Sequence, residues 1–69
     1  MELKKTHELF LDTWRLYKKY HGTNKNDNPA WKSLIDDGDG LIEKYGNAQY
    51  AREMVVATMK EIERQAMNS

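Results

Sequence analysis

Asp36-Asp37-Gly38-Asp39-Gly40 is the stretch of this 69-residue chain whose residue types come closest to metal chemistry, because carboxylates interleaved with glycines are the material of a calcium loop. An EF-hand also needs a glycine at position six and a bidentate glutamate at position twelve. Twelve positions from Asp36 fall on Asn47 and from Asp37 on Ala48, while Glu43 comes too early. The flanking residues give a better reading. Trp31, Leu34, Ile35, Gly38, Leu41, Ile42 and Tyr45 recur three or four positions apart, and at about 100° per residue they share one arc of roughly 120°. The acidic pentad is therefore expected to be helical, with its carboxylates on a solvated face, and no metal site is expected. Gly38 falls on the apolar stripe, where a missing side chain lets another helix, or a ring such as Trp14, come close. Gly40 falls on the polar face, and nothing in the sequence explains it.

Other chemistry-bearing residues fare no better as catalysts. His7 and His21 lie on one face of a first helix, about 21 Å apart at the helical rise, too far to share a metal. They read as partly buried or interface histidines. No serine, threonine or lysine sits beside a histidine in the pattern of an activated nucleophile. The expectation is a chain with no catalytic residues, no cofactor and no evident small-molecule substrate.

Two patterns touch on nucleic acid. Trp14, Tyr17 and Tyr20 interleave with Arg15, Lys18 and Lys19, the ingredients of a stacking platform for a single strand. Helical spacing turns Trp14 and Tyr17 toward the apolar arc and the cations away from it, so core aromatics are the favoured reading. Gly46-Asn47, followed by Gln49, Tyr50 and Arg52, resembles in outline the turn and leading edge of a DNA-reading helix-turn-helix, which implies base contacts from the amide and the guanidinium. That pattern calls for a small residue four positions before the turn glycine and an aliphatic one six after it. This chain has Ile42 and Arg52 there, and an ordinary helical hairpin is the simpler reading.

The elements that must position these residues follow from periodicity. Leu3, His7, Phe10, Trp14, Tyr17 and His21 alternate steps of four and three, a heptad row. Beside it runs a second row, Leu9, Thr13, Leu16 and Tyr20, so the apolar surface covers roughly half of the helix circumference. Opposite lie Lys4, Lys5, Glu8, Asp12, Arg15, Lys18 and Lys19, with Leu11 at the border. Gly22 to Asn28 is a polar connector, and Asn28 before Pro29 has the features of a helix N-cap. A second helix should run from Pro29 to Tyr45 and stop at Gly46, with Asn47 capping a third. In the third, Ala51, Met54, Val55, Thr58, Met59, Ile62 and Ala66 form the inward face, Tyr50 lies at its margin, and Val56 sits among Gln49, Lys60 and Glu63 on the polar side. No internal repeat, low-complexity tract or period-two run is evident.

Length and charge bound the rest. A chain this short is one domain, and it buries only about 60% of the surface that its unfolded form exposes, so its core is marginal and self-association would help. There is no cysteine and no apolar run long enough for a signal peptide or membrane span, which fits a cytoplasmic protein. Eleven basic residues balance eleven acidic ones, against a chain built chiefly to neutralise phosphates.

The expected object is an all-α, antiparallel three-helix bundle, a single helical domain over 1–69 with helices at about 2–21, 29–45 and 48–67. Its expected core is Phe10, Trp14, Tyr17, Trp31, Leu34, Ile35, Leu41, Ile42, Met54, Val55, Thr58 and Ile62. The expected function is a non-enzymatic interaction module that forms a homodimer or docks on a larger protein through Leu9, Leu11, Leu16, Tyr20 and Val56. The alternative is a nucleic-acid-associated regulator using Lys4, Lys5, Arg15, Lys18 and Lys19 on helix 1, or Gln49 and Arg52 at the start of helix 3. A third reading has Asp36, Asp39 and Glu43 imitating a phosphate array on an inhibitor of a nucleic-acid enzyme.

Overall fold

The computed structural model describes residues 2–68 and holds three helices, α1 (Leu3–Tyr20), α2 (Asn28–Lys44) and α3 (Gln49–Met67), with no strand among those residues. Each end lies within a residue of its expected place. All three helices pack on one another. Contacts of Phe10 with Tyr50 and of Tyr17 with Gln65 show that α1 and α3 run in the same direction, and α2 runs back between them. None of the helices is long and apolar enough to cross a membrane. The acidic pentad is inside α2, as the Trp31-to-Tyr45 stripe required.

The two expected caps are corrected. Asp27, one residue earlier than Asn28, is the N-cap of α2, and its carboxylate accepts from the Ala30 amide at 3.2 Å. Asn28 is already in the helix, because Pro29 is tolerated anywhere in the first turn, where its missing N–H has no intrahelical partner to lose. At the second junction Gly46 and Asn47 both take left-handed dihedrals, with φ of 65° and 60°, and the Asn47 amide donates back to the Ile42 carbonyl at 3.0 Å. Asn47 thus ends α2 instead of capping α3. Ala48 occupies the cap of α3 without a side-chain hydrogen bond.

The largest departure concerns which side of α1 faces inward. Leu9 and Leu16 are 0% and 5% exposed, with Thr13 and Tyr20 buried beside them, whereas Phe10 and Trp14 are 51% and 54% exposed. The core is closed by Leu34, Ala51, Val55, Ile62 and Ala66, with Tyr17, Trp31, Leu41, Ile42 and Met59 packed around it. Of the expected core, Phe10, Trp14 and Ile35 are at the surface. Leu9, Leu16 and Tyr20, expected to be left over for a partner, are inside the fold.

A reciprocal clasp between α1 and α2 accompanies that rotation. Asp12 on α1 accepts from Tyr45 Oη at 2.5 Å and from Lys44 Nζ at 2.7 Å. Asp37 on α2 accepts from Tyr20 Oη at 2.6 Å and from Lys19 Nζ at 2.9 Å. In each clasp the lysine ammonium also lies over the ring of the next residue, 5.2 Å from Tyr20 and 5.4 Å from Tyr45. The equivalence corrects the reading that the chain has no repeat: Leu9, Asp12, Leu16, Lys19 and Tyr20 recur 25 positions later as Leu34, Asp37, Leu41, Lys44 and Tyr45. Two helices carrying one motif and packed antiparallel must make the same contact twice. Asp12 and Lys19 flank the Leu9 row, so the orientation of α1 that brings them to α2 is also the one that buries the Leu9 row and turns the Phe10 row out. Asp12, expected on a solvated face, has a side chain only 11% exposed.

Charge in the clasps is settled by their neighbours. Burial alone would raise the Asp12 carboxyl, but hydrogen bonds from Lys44 and Tyr45 hold it below the usual carboxylate value. Tyr20 and Lys19 do the same for Asp37. Burial, reinforced by the carboxylate each one faces, pushes both Tyr20 and Tyr45 up.

Where the repeat is broken, the third helix explains it. Gly38 stands where α1 has Thr13, and a Cβ there would lie 2.7 Å from Met59 Sδ and 3.3 Å from Val55 Cγ1. The missing side chain admits α3, not Trp14, into the stripe. Thr13 meets its own hydrogen-bonding need by donating to the Phe10 carbonyl at 3.0 Å. Gly40 has open space around it, so nothing demands a glycine there.

Candidate protein-docking surface

With Leu9 and Leu16 consumed by the core, the apolar surface left on α1 is the heptad row itself. Leu3, Phe10 and Trp14 are exposed along it, and Leu11 lies on its outer border. Trp14 stacks on Tyr17 with centroids 6.0 Å apart, and Tyr17 stacks on His21 at 5.7 Å, so three rings form a ladder along the helix. Phe10 meets Tyr50 of α3 edge-on at 6.5 Å. The Tyr17 hydroxyl accepts from Gln65 Nε2 at 2.7 Å, which pins the middle rung to α3. Phe10, Trp14 and Tyr17 then form one wall of a shallow groove, with Ala57, Thr58 and Glu61 as the other.

Both histidines, expected to be partly buried or at an interface, are exposed in the chain by itself, His21 as the last rung of the ladder. On this row a ring and a charge expected to part company do meet, Lys18 Nζ lying 5.6 Å from the Trp14 ring. Lys4, Lys5 and Lys18 are exposed and make no ion pair among the described residues, while Arg15 pairs with Asp12 and Lys19 with Asp37.

The other candidate residues do not converge on this face. Arg52 and Val56 share a shallow exposed surface of α3 with Glu53, Ala57 and Lys60. Helical spacing puts Gln49 and Arg52 well round from Tyr50, the residue that touches Phe10. Among the five residues expected to bind a partner, Leu11 and Val56 are exposed, but they sit on different faces. Asp36, Asp39 and Glu43 form an exposed acidic ridge on α2, free of ion pairs among the described residues.

One feature escaped the sequence reading altogether: an apolar concavity of about 290 Å³ between the N-terminal half of α2 and the end of α3, lined chiefly by Trp31, Leu34, Ile35, Met59, Ala66 and Met67. It lies at the lower edge of ordinary ligand pockets and has few polar groups converging on it. Exposed Ile35 and Met67 on its walls could have signalled it only once the pairing of α2 with α3 was known.

No protein-family model, curated protein or solved structure matches the chain. The function must be read from the surface alone.

Proposed function

We propose that this protein is a non-enzymatic interaction module that docks on another protein molecule, a second copy or a larger partner, through the outward row of α1 and the groove beside it. The observation that supports this reading most is the exposure of Phe10 and Trp14 at 51% and 54% in the middle of the heptad row of α1. Large rings left in water on a domain with so little core to spare are a cost unless something covers them. The ladder is also rigid, because Tyr17 is held between Trp14 and His21 and tied to Gln65. Pre-ordered aromatic anchors lose little conformational entropy on binding and are the residues on which interface energy concentrates.

A nucleic-acid role is the second reading, supported by the unpaired Lys4, Lys5 and Lys18. It is the weaker one because Gln49 and Arg52 lie elsewhere and Arg15 and Lys19 are engaged within the fold.

A photo-crosslinking side chain placed at position 14 and, as a control, at position 60 separates these. Docking on protein gives a discrete protein adduct from position 14 that is lost with Phe10→Glu and is absent from position 60. A nuclease-sensitive adduct favours the second reading, and the same diffuse labelling from both positions refutes the first.

A further inference from the structure

The spacing and flanks of the exposed row narrow the partner to one kind. Steps of four and three from Leu3 through His21 are the spacing of a seam against another helix packed in coiled-coil fashion. Seam-flanking positions on the inner side are Thr6, Thr13 and Tyr20, which are buried or half-buried in the bundle. The outer flank is Lys4, Leu11 and Lys18, all exposed. An incoming helix would therefore meet a border that is positive at both ends and apolar in the middle.

We infer, on the reading of this row as a docking surface, that its partner is an amphipathic helix of another protein whose apolar stripe is bordered by acidic residues. Lys4 and Lys18 make no ion pair among the described residues, so a carboxylate opposite each meets a charge that no carboxylate already holds. A second copy of α1 fits worse. Laid antiparallel about Leu11, it sets Lys4 against Lys18 of the other copy twice over, like charge on like. A single-stranded nucleic acid fits worse too. Stacked rings 6.0 and 5.7 Å apart leave no slot for a base, which needs roughly 7 Å, twice the 3.4 Å base rise.

Two synthetic three-heptad peptides with leucine at the seam positions, one flanked by glutamate and one by lysine, test this against the full chain labelled with ¹⁵N. The Trp14 indole resonance reports binding at the row, separately from Trp31. The glutamate peptide should shift it and bind about five- to tenfold tighter than the lysine peptide at low salt, as one or two exposed charge pairs allow. Exchanging both lysines, Lys4→Glu with Lys18→Glu, should reverse the preference. Equal affinities, or binding that leaves Trp14 unmoved, overturn the inference. If neither peptide shifts Trp14 but the chain dimerises and Trp14→Glu abolishes the dimer, the acidic helix is the wrong occupant and the docking surface stands. If neither peptide shifts it and an oligo-uridine does, both readings fail.

Discussion

The hydroxyl of Tyr45 donates to the Asp12 carboxylate at 2.5 Å, and the pair is mirrored by Tyr20 on Asp37 at 2.6 Å. The two clasps are not equally sheltered, since the Asp12 side chain is 11% exposed and that of Asp37 is 41% exposed. Hydrogen bonds to a charged group contribute about 1.5 to 3 kcal/mol when shielded and less in water. Asp12→Ala should therefore lower the unfolding free energy by about that amount and Asp37→Ala by clearly less, as read from denaturant midpoints. Equal losses would show that shielding does not distinguish the clasps.

The same contacts fix the response to pH. Asp12 and Asp37 are held below their ordinary value of 3.8, so they contribute stability that is present above that pH and is lost as the pH falls through their lowered values. Tyr20 and Tyr45 are raised above their ordinary value of 10.0, so theirs is present below pH 10.0 and is lost as the pH rises beyond it. A melting temperature that is flat between these limits and falls on both sides is expected. Tyr20→Phe with Tyr45→Phe should remove the tyrosine contribution to the alkaline fall and weaken the acid limb without abolishing it, since Asp12 and Asp37 lose one donor each and keep Lys44 and Lys19.

The two glycines of α2 should respond in opposite directions. Gly40→Ala should stabilise by about 0.5 to 1 kcal/mol, since the added methyl meets nothing within 4 Å and an exposed helical position favours alanine. Gly38→Leu should cost about 1 to 3 kcal/mol by overpacking against Met59 and Val55. Thermal melts of the two variants check both signs.

At the start of α2, Asp27→Ala should cost about 1 kcal/mol because it removes the acceptor of the Ala30 amide. Asn28→Ala should change the unfolding free energy by less than about 0.5 kcal/mol, since Asn28 makes no capping bond.

The architecture was legible in the sequence because helix periodicity and the two breaks at Gly22–Asn28 and Gly46–Asn47 are local signals. The rotation of α1 was not. Both of its rows satisfy the helical period and both carry large apolar side chains, and the inward side is marked by burial of Leu9 and Leu16 and by Asp12 and Lys19 reaching across to α2, contacts between residues far apart in the chain. The repeat was hidden for a related reason. Its five shared residues are scattered through 12 positions of each helix, and their significance lies in pairing with the opposite copy. Asp27 was passed over as a cap because Asn28-Pro29 satisfies the same local rules one residue later. The docking surface follows from the rotation, so it could not be located before the fold was known.

Everything proposed for this protein depends on Phe10 and Trp14 facing outward while Leu9 and Leu16 face in. The most direct test is the unfolding free energy, by denaturant titration, of Phe10→Ser with Trp14→Ser beside that of Leu9→Ser with Leu16→Ser. The aromatic pair should remain a cooperatively unfolding bundle, losing about 1 to 2 kcal/mol for the edge contact to Tyr50, the stack on Tyr17 and the Lys18 contact. The leucine pair should not fold, since each loss of a buried leucine costs about 3 to 5 kcal/mol in a domain whose whole core supplies little more than that. A folded leucine variant alongside an unfolded aromatic one would contradict the orientation of α1 and, with it, the docking surface.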